Sequence, residues 1–282
     1  MHPIGNEPLS PSRLSQFTSC ELAFRYKYID KLPEKPGAAA LRGNLVHSVL
    51  EMVLALPPVE RTLPTAQAHI ERALAELLER DPERRFAIND ALGWPDALVE
   101  PTAADIEAFT SAAAELLRRY FGLEDPTLVD VVEIEHYVKV EVPDGPVVHG
   151  YIDRLEKNAD GGLVVADYKT GTVPPERFRE KAWRQLQIYA LLLRLQGKRP
   201  SLLKLHYLSG TPTTITQSVN DDDLDALVHQ LRWESKRIRQ AAEVGEFREK
   251  PSKLCDYCSF TAHCPAKNGA RLPWPPDQPA LK

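Results

Sequence analysis

The chain has 282 residues, 43% hydrophobic and 27% charged, the balance of a globular protein with room for one large domain or two smaller ones. No apolar run approaches the roughly 18–20 residues of a membrane span, and the opening "MHPIGNEPLSPSR" lacks the charged-then-apolar layout of a secretory signal, so a cytoplasmic protein without membrane contact is expected. The net charge of −5 speaks against bulk attraction to nucleic acid. Two stretches, "RLSQFTSCELAFRYKYIDK" and "RWESKRIRQ", are nevertheless basic with aromatics interleaved, and suit either a phosphate backbone or a solvated helix face.

In chain order, "LSPSRLSQF" reads as a helix start with Ser10 as N-cap and Pro11 in the first position. A second helical stretch follows Cys20, with Leu22, Phe24, Tyr28 and Ile29 among its apolar positions. "KLPEKPGAA" is a loop, and "ALRGNLVHSVLEMVLAL" a helix that is apolar at Leu45, Val46, Val49, Leu50 and Val53. Residues 60–122 read as helical, broken near "NDALGWPDA". After "GLEDPT" the period changes: "DVVEIEHYVKVEV" alternates as a strand does. "VVHGYIDRLEKN" and "LVVADYKTG" follow as two strands joined by a hairpin turn at "NADGG". "PERFREKAWRQLQIYALLLRLQG" is an amphipathic helix ending at Gly197, "SLLKLHYLSG" and "TTITQSV" a further pair of strands, and "DDDLDALVHQLRWESKRIRQAAEVG" a long helix. The proline-rich end, "RLPWPPDQPALK", reads as poorly ordered. This order predicts an α/β protein in four parts: N-terminal helices over 1–47, a helical insertion over 48–125, a core over 126–220, and a last helix, cysteine cluster and tail over 221–282.

The hairpin carries the first sign of chemistry. Its turn centres near Asp160 and Gly161, so Asp153 and Asp167 are near cross-strand neighbours, about 5 Å apart at Cβ if they share a face. Facing carboxylates destabilise a sheet unless something sits between them, and a divalent cation such as Mg²⁺ is the usual remedy. Lys169, two residues beyond Asp167, points to the same face, where it could orient or deprotonate a water. Taken alone, these residues fit equally well a surface pair of Asp167 with Lys169, and Asp153 paired with Arg154 or another base.

The strings "GYIDRLE", "VVADYKTG" and "QLQIYALLL" resemble three successive motifs of the PD-(D/E)XK nuclease superfamily, in its RecB-type exonuclease branch. Upstream, "GNLVHSVLE" matches that branch's Gly-x-x-x-His with Gly43 and His47. The resemblance implies a restriction-endonuclease-like core, with a central mixed sheet flanked by helices. It implies that His47, Asp153 and Asp167 hold Mg²⁺ or Mn²⁺, with the backbone carbonyl of Tyr168 as a fourth ligand, and that Lys169 is the catalytic lysine. Gln185 and Tyr189, at i and i+4 of one helix face, would line the site and contact substrate or attacking water. Glu133 and Glu135 lie on the first strand, where the family often has an acid; alternation puts both on one face and leaves the choice open, and each is read as structural.

The cysteines form a second pattern. Cys255-x₂-Cys258-x₅-Cys264 places three thiols within ten residues, and Cys20 is the only other cysteine of the chain. Disulfides are not expected in a cytosolic protein, and a soft sulfur set means zinc or an iron–sulfur cluster. One N-terminal cysteine with a C-terminal triplet is similar to the iron–sulfur nucleases of the AddAB type and of CRISPR adaptation. That likeness implies a [4Fe–4S] cluster rather than zinc on Cys20, Cys255, Cys258 and Cys264, stapling the first helices to the last segment. Cys20 is followed by Glu21 where that family often has proline, while the aromatic and basic pattern "AFRYKYI" is kept. The expected function is a metal-dependent DNA exonuclease of repair or recombination, acting on single strands or frayed ends, with a helicase or repair complex as the partner class. A CRISPR adaptation nuclease that trims DNA for integration is an alternative, disfavoured by the chain's length and inserted helices. A non-catalytic iron–sulfur DNA-binding module is another, but it has no need of Asp153, Asp167 and Lys169 together.

Overall fold

The computed structural model describes residues 7–34, 37–92 and 99–274. The tail read as poorly ordered lies outside the described residues from 275 on, as does most of the break near "NDALGWPDA". Among the described residues are eight α-helices and five strands. Helix α1 (Pro11–Ser19) starts where the sequence predicts: the Ser10 hydroxyl accepts from the Arg13 N–H at 3.2 Å, and proline takes the first position. After α2 (Glu21–Phe24) the backbone continues as one π-helical stretch over Arg25–Ile29. Helix α3 (Ala38–Leu54) is followed by α4 (Leu63–Ala68), α5 (Ile70–Arg80) and α6 (Ala103–Leu123).

Strands β1 (Asp130–Glu141), β2 (Val147–Lys157), β3 (Leu163–Lys169), β4 (Pro200–Tyr207) and β5 (Thr213–Ser218) form one sheet in the order β1-β2-β3-β4-β5. The β2–β3 pair is antiparallel around a turn in which Gly161 takes φ +76°, a left-handed conformation that glycine adopts without strain. β3 and β4 are parallel, which requires a crossover, and helix α7 (Glu180–Leu195) supplies it. β5 returns antiparallel to β4, making the sheet mixed. α7 begins later than the amphipathic pattern predicts. Pro174 and Pro175 precede it, Glu176–Phe178 form a single 3₁₀ turn, and the Arg179 guanidinium donates to the Pro174 carbonyl at 2.9 Å. Helix α8 (Asp221–Val244) is capped by the Asn220 side chain. Its acidic run Asp221–Asp223 lies in the first turn, where the helix dipole favours negative charge. No described helix is long and apolar enough to cross a membrane.

The chain divides into two compact units, one drawn from residues 1–35, 138–150 and 220–282, the other from 36–137 and 151–219. The second unit holds the larger core. Leu45, Val46, Val49, Leu50 and Val53 of α3 are fully buried, packed with Leu117 and Tyr120 of α6 and with Leu74 of α5. Tyr168 of β3 belongs to the same cluster, so the inserted helices share a core with the sheet. Each such side chain contributes roughly 1.5–3 kcal/mol by leaving water. In β3, Val164 through Tyr168 are all buried, as befits a strand covered on both faces. In the first unit the N-terminal helices meet the C-terminal segment. Leu22 N–H donates to Arg248 O at 3.1 Å, Tyr26 Oη to His263 O at 2.7 Å, and Arg237 to Glu21 at 2.7 Å.

Candidate active site

The β2–β3 ladder ends at Arg154 opposite Ala166. One step further along that register Asp153 faces Asp167, so the carboxylates meet where the strands part. Helix α3 comes close to this end of β3: a Cβ on Gly43 would sit 3.2 Å from Thr170 Oγ1. One turn on, His47 reaches into the corner. Its Nε2 lies 2.8 Å from the Tyr168 carbonyl and its Nδ1 3.1 Å from Asp153 Oδ2. Asp153 Oδ2 also accepts the Tyr168 N–H at 3.3 Å. Both imidazole nitrogens therefore face acceptors, which suits the doubly protonated ring. Burial lowers the affinity of His47 for its proton, but the Asp153 carboxylate outweighs it, and the pKa is pushed up to about 9.

Lys169 Nζ stands 2.7 Å from Asp167 Oδ2 and donates to Gln185 Oε1 at 3.2 Å. Asp167 is buried, and the Lys169 ammonium is the charge partner of its Oδ2. Burial, then the neighbouring Asp153 charge, raises the Asp167 carboxyl to about 6. Asp153 goes the other way: burial raises it, and His47 more than compensates. Burial also lowers Lys169, but Asp167 outweighs that and keeps the amine above its usual range, hence charged. Tyr189 is buried and raised by that burial; Gln185 hydrogen-bonds it, and Asp153, Asp167 and Glu135 act on it electrostatically. The structure thus brings His47, Asp153, Asp167, Tyr168, Lys169, Gln185 and Tyr189 to one corner.

It also resolves the choice on β1. Glu133 turns away, toward His136 and toward Lys198 at 3.4 Å. Glu135 turns in. Its backbone has φ +47°, which breaks the alternation that would have kept the two glutamates on one face. Burial, then Asp153 and Glu51, raises the Glu135 carboxyl to about 7. Glu51, one helical turn after His47, is the other acid the motifs did not single out.

On the opposite face of the sheet Arg154 is fully buried. Its guanidinium donates to Glu124 at 2.7 and 3.0 Å, to the hydroxyls of Tyr120 at 3.0 Å and Tyr168 at 2.9 Å, and to His206 Nε2 at 3.2 Å. It also lies 2.6 Å from Glu156, which Lys204 contacts from β4. Arg154 was a candidate partner of Asp153; the structure pairs it with Glu124 and Glu156 instead, because adjacent strand residues point to opposite faces.

The donor set at the corner suits a hard divalent cation: two carboxylates, one of them buried, with a carbonyl and an imidazole. Glu135 adds a fifth candidate. Among the described residues no three His, Cys, Asp or Glu side chains stand ready to enclose an ion. Here the His47 cation takes that ground between Asp153 and the Tyr168 carbonyl. The four cysteines are free and partly exposed. Cys258 is raised by burial, and Cys20, Cys255 and Cys264 all act on it electrostatically.

A metal-suited acidic corner with a charged lysine, on a mixed sheet flanked by helices, has the residue types that metal-assisted hydrolysis uses. The model of the PD-(D/E)XK nuclease superfamily matches residues 8–265, and the chain belongs to that superfamily. It is 25% identical over 272 residues to the Gene 69 protein of Mycobacterium phage D29, covering 91% of this chain and 96% of the phage protein. The Gene 69 protein of Mycobacterium phage L5 is 24% identical over 289 residues, covering 91% and 95%. Among solved structures, a Eubacterium rectale protein assigned as an exonuclease superposes with a TM-score of 0.55 at 16% identity, covering 89% of this chain and 87% of that one; this likeness speaks to the fold.

Proposed function

We propose that this chain is a divalent-metal-dependent deoxyribonuclease that removes nucleotides from single strands or frayed ends of DNA. The observation that carries the reading is the meeting of His47, Asp153, Asp167 and Lys169 where β2 and β3 part. The exonuclease assignment of the Eubacterium rectale protein agrees with it. Asp153, Asp167, the Tyr168 carbonyl and a deprotonated His47 would hold Mg²⁺ or Mn²⁺, which when bound acidifies a water and neutralises charge on the phosphoryl group. Lys169, whose amine Asp167 holds above its usual range, would hold a phosphate oxygen or the attacking water and stabilise the charge of the transition state. Gln185 accepts from Lys169 and hydrogen-bonds Tyr189, which fixes both side chains; its remaining amide N–H and the Tyr189 phenol could donate toward substrate.

The four cysteines would hold a [4Fe–4S] cluster, for which their shared electrostatic neighbourhood and all-sulfur chemistry speak. Its part would be to staple α1 and α2 to the C-terminal segment. The AddAB-type likeness extends the proposal to repair or recombination beside a helicase.

The test is digestion of labelled single-stranded DNA by protein stripped of divalent ions with chelator, before and after Mn²⁺ or Mg²⁺ is restored. Digestion only with metal is expected. DNA binding without digestion at any metal concentration would make the chain a binding module instead.

A further inference from the structure

Beside the acidic corner stand two aromatic side chains. Tyr151 of β2 and Tyr137 of β1 pack ring against ring, with centroids 5.0 Å apart and planes at 46°. They nevertheless remain 55% and 47% exposed. Residues two apart on a strand share a face, so Tyr151 lies on Asp153's side of the sheet, about 7 Å along it. That is a distance one nucleotide of an extended strand can span. Tyr137 follows Glu135 by the same two residues, and Glu135 reaches the same corner.

Charge at the corner makes the pair more informative. Glu51, Glu135, Asp153 and Asp167 act on one another there, against the cations His47 and Lys169. The acids there outnumber the cations, so contact with the uncharged part of a nucleotide adds affinity that its phosphate gains less readily. An aromatic face offers that to a nucleobase of any sequence. We infer that Tyr151 and Tyr137 form a stacking platform for an unpaired nucleobase next to the scissile phosphate. The inference rests on the nuclease reading and names the substrate feature that the site recognises. The two rings brace each other, so the platform is set before DNA arrives. A base inside a duplex has both faces covered by its neighbours, so the platform selects single strands and frayed ends. A second copy of this chain is a poor occupant, because a two-fold contact would bring the two acidic corners together.

The experiment compares first-turnover cleavage of metal-loaded wild type on single-stranded oligonucleotides in which one abasic residue is walked inward from the end. The platform predicts one position at which losing the base lowers kcat/KM roughly tenfold or more. In Y137L/Y151L that difference between base and abasic strands should vanish, and in Y151F, which keeps the ring, it should persist. A wild type that cleaves every abasic strand like its parent overturns the inference while leaving the nuclease reading intact. A wild type that cleaves none of them, the parent included, overturns both. The wild-type comparison needs no variant to fold. A dimer in light scattering that Y137L/Y151L abolishes, with no base effect, would hand the surface to a second copy and overturn the platform.

Discussion

Glu135 sits at φ +47° inside a strand, a backbone region that a side-chain-bearing residue occupies at a cost of order 1–3 kcal/mol. The same residue has its carboxyl raised to about 7 by burial and by Asp153 and Glu51. Because this pKa lies above the unfolded value of 4.5, the ionised group destabilises the fold. The penalty is fully present above about pH 7 and fades as pH falls toward 4.5. Glu135→Gln should raise the melting temperature of chelator-treated protein by a few degrees near pH 8, an effect of roughly 1–2 kcal/mol. The gain should disappear near pH 4.5, and a gain that persists there would remove repulsion as the cause. Asp153→Asn should weaken Mn²⁺ binding by at least about tenfold in titration calorimetry, since a neutral amide is the poorer ligand for a hard cation. An unaltered isotherm would take Asp153 out of the site. Legibility divides at this scale. Counting outward from the Asp-Gly turn reaches Asp153 and Asp167, and helical spacing relates Gln185 to Tyr189, because these relations are local. Glu135 was hidden because its inward turn depends on one dihedral angle that a glutamate gives no reason to expect.

Among the elements, β2, β3, β4 and α6 are tied together by the buried guanidinium of Arg154. Burial raises Glu124, but Arg154 outweighs it and holds the carboxyl near 2; burial pushes His206 down to about 3, and that ring accepts from Arg154 and stays neutral. Both folded values lie below the unfolded ones of 4.5 and 6.5, so both contributions are complete above those values. Acid removes the His206 part between about 6.5 and 3, and the Glu124 part between about 4.5 and 2. Urea melts should therefore show stability falling from near pH 6.5 downward, more steeply in wild type than in Glu124→Gln. A parallel profile in the variant would contradict the assignment. Arg154→Leu strands buried carboxylates and should cost about 3–5 kcal/mol by the same assay. The strands themselves were readable from their period and turns. The Arg154 cluster was not, since it joins positions as distant as Tyr120 and His206, and sequence neighbours suggested Asp153 as the partner.

At the level of the whole molecule, one unit is built from three separate stretches of chain, an N-terminal and a C-terminal segment among them. The bonds from Leu22 to Arg248 and from Tyr26 to His263 join those segments. A cluster on the four cysteines would add a second tie. Cys258→Ala should abolish broad visible absorption in protein purified without oxygen and lower the melting temperature. Colourless wild type with bound zinc would refute the cluster. Hydrolysis of DNA at the corner between β2 and β3 is put to the test by end-labelled single-stranded and duplex DNA with Mn²⁺ or Mg²⁺, digested in parallel by wild type and Lys169→Ala. Metal-dependent digestion is expected, favouring the single strand, and should fall by at least about a hundredfold in the variant while DNA binding and melting temperature stay close to wild type. Equal digestion by both proteins would contradict it.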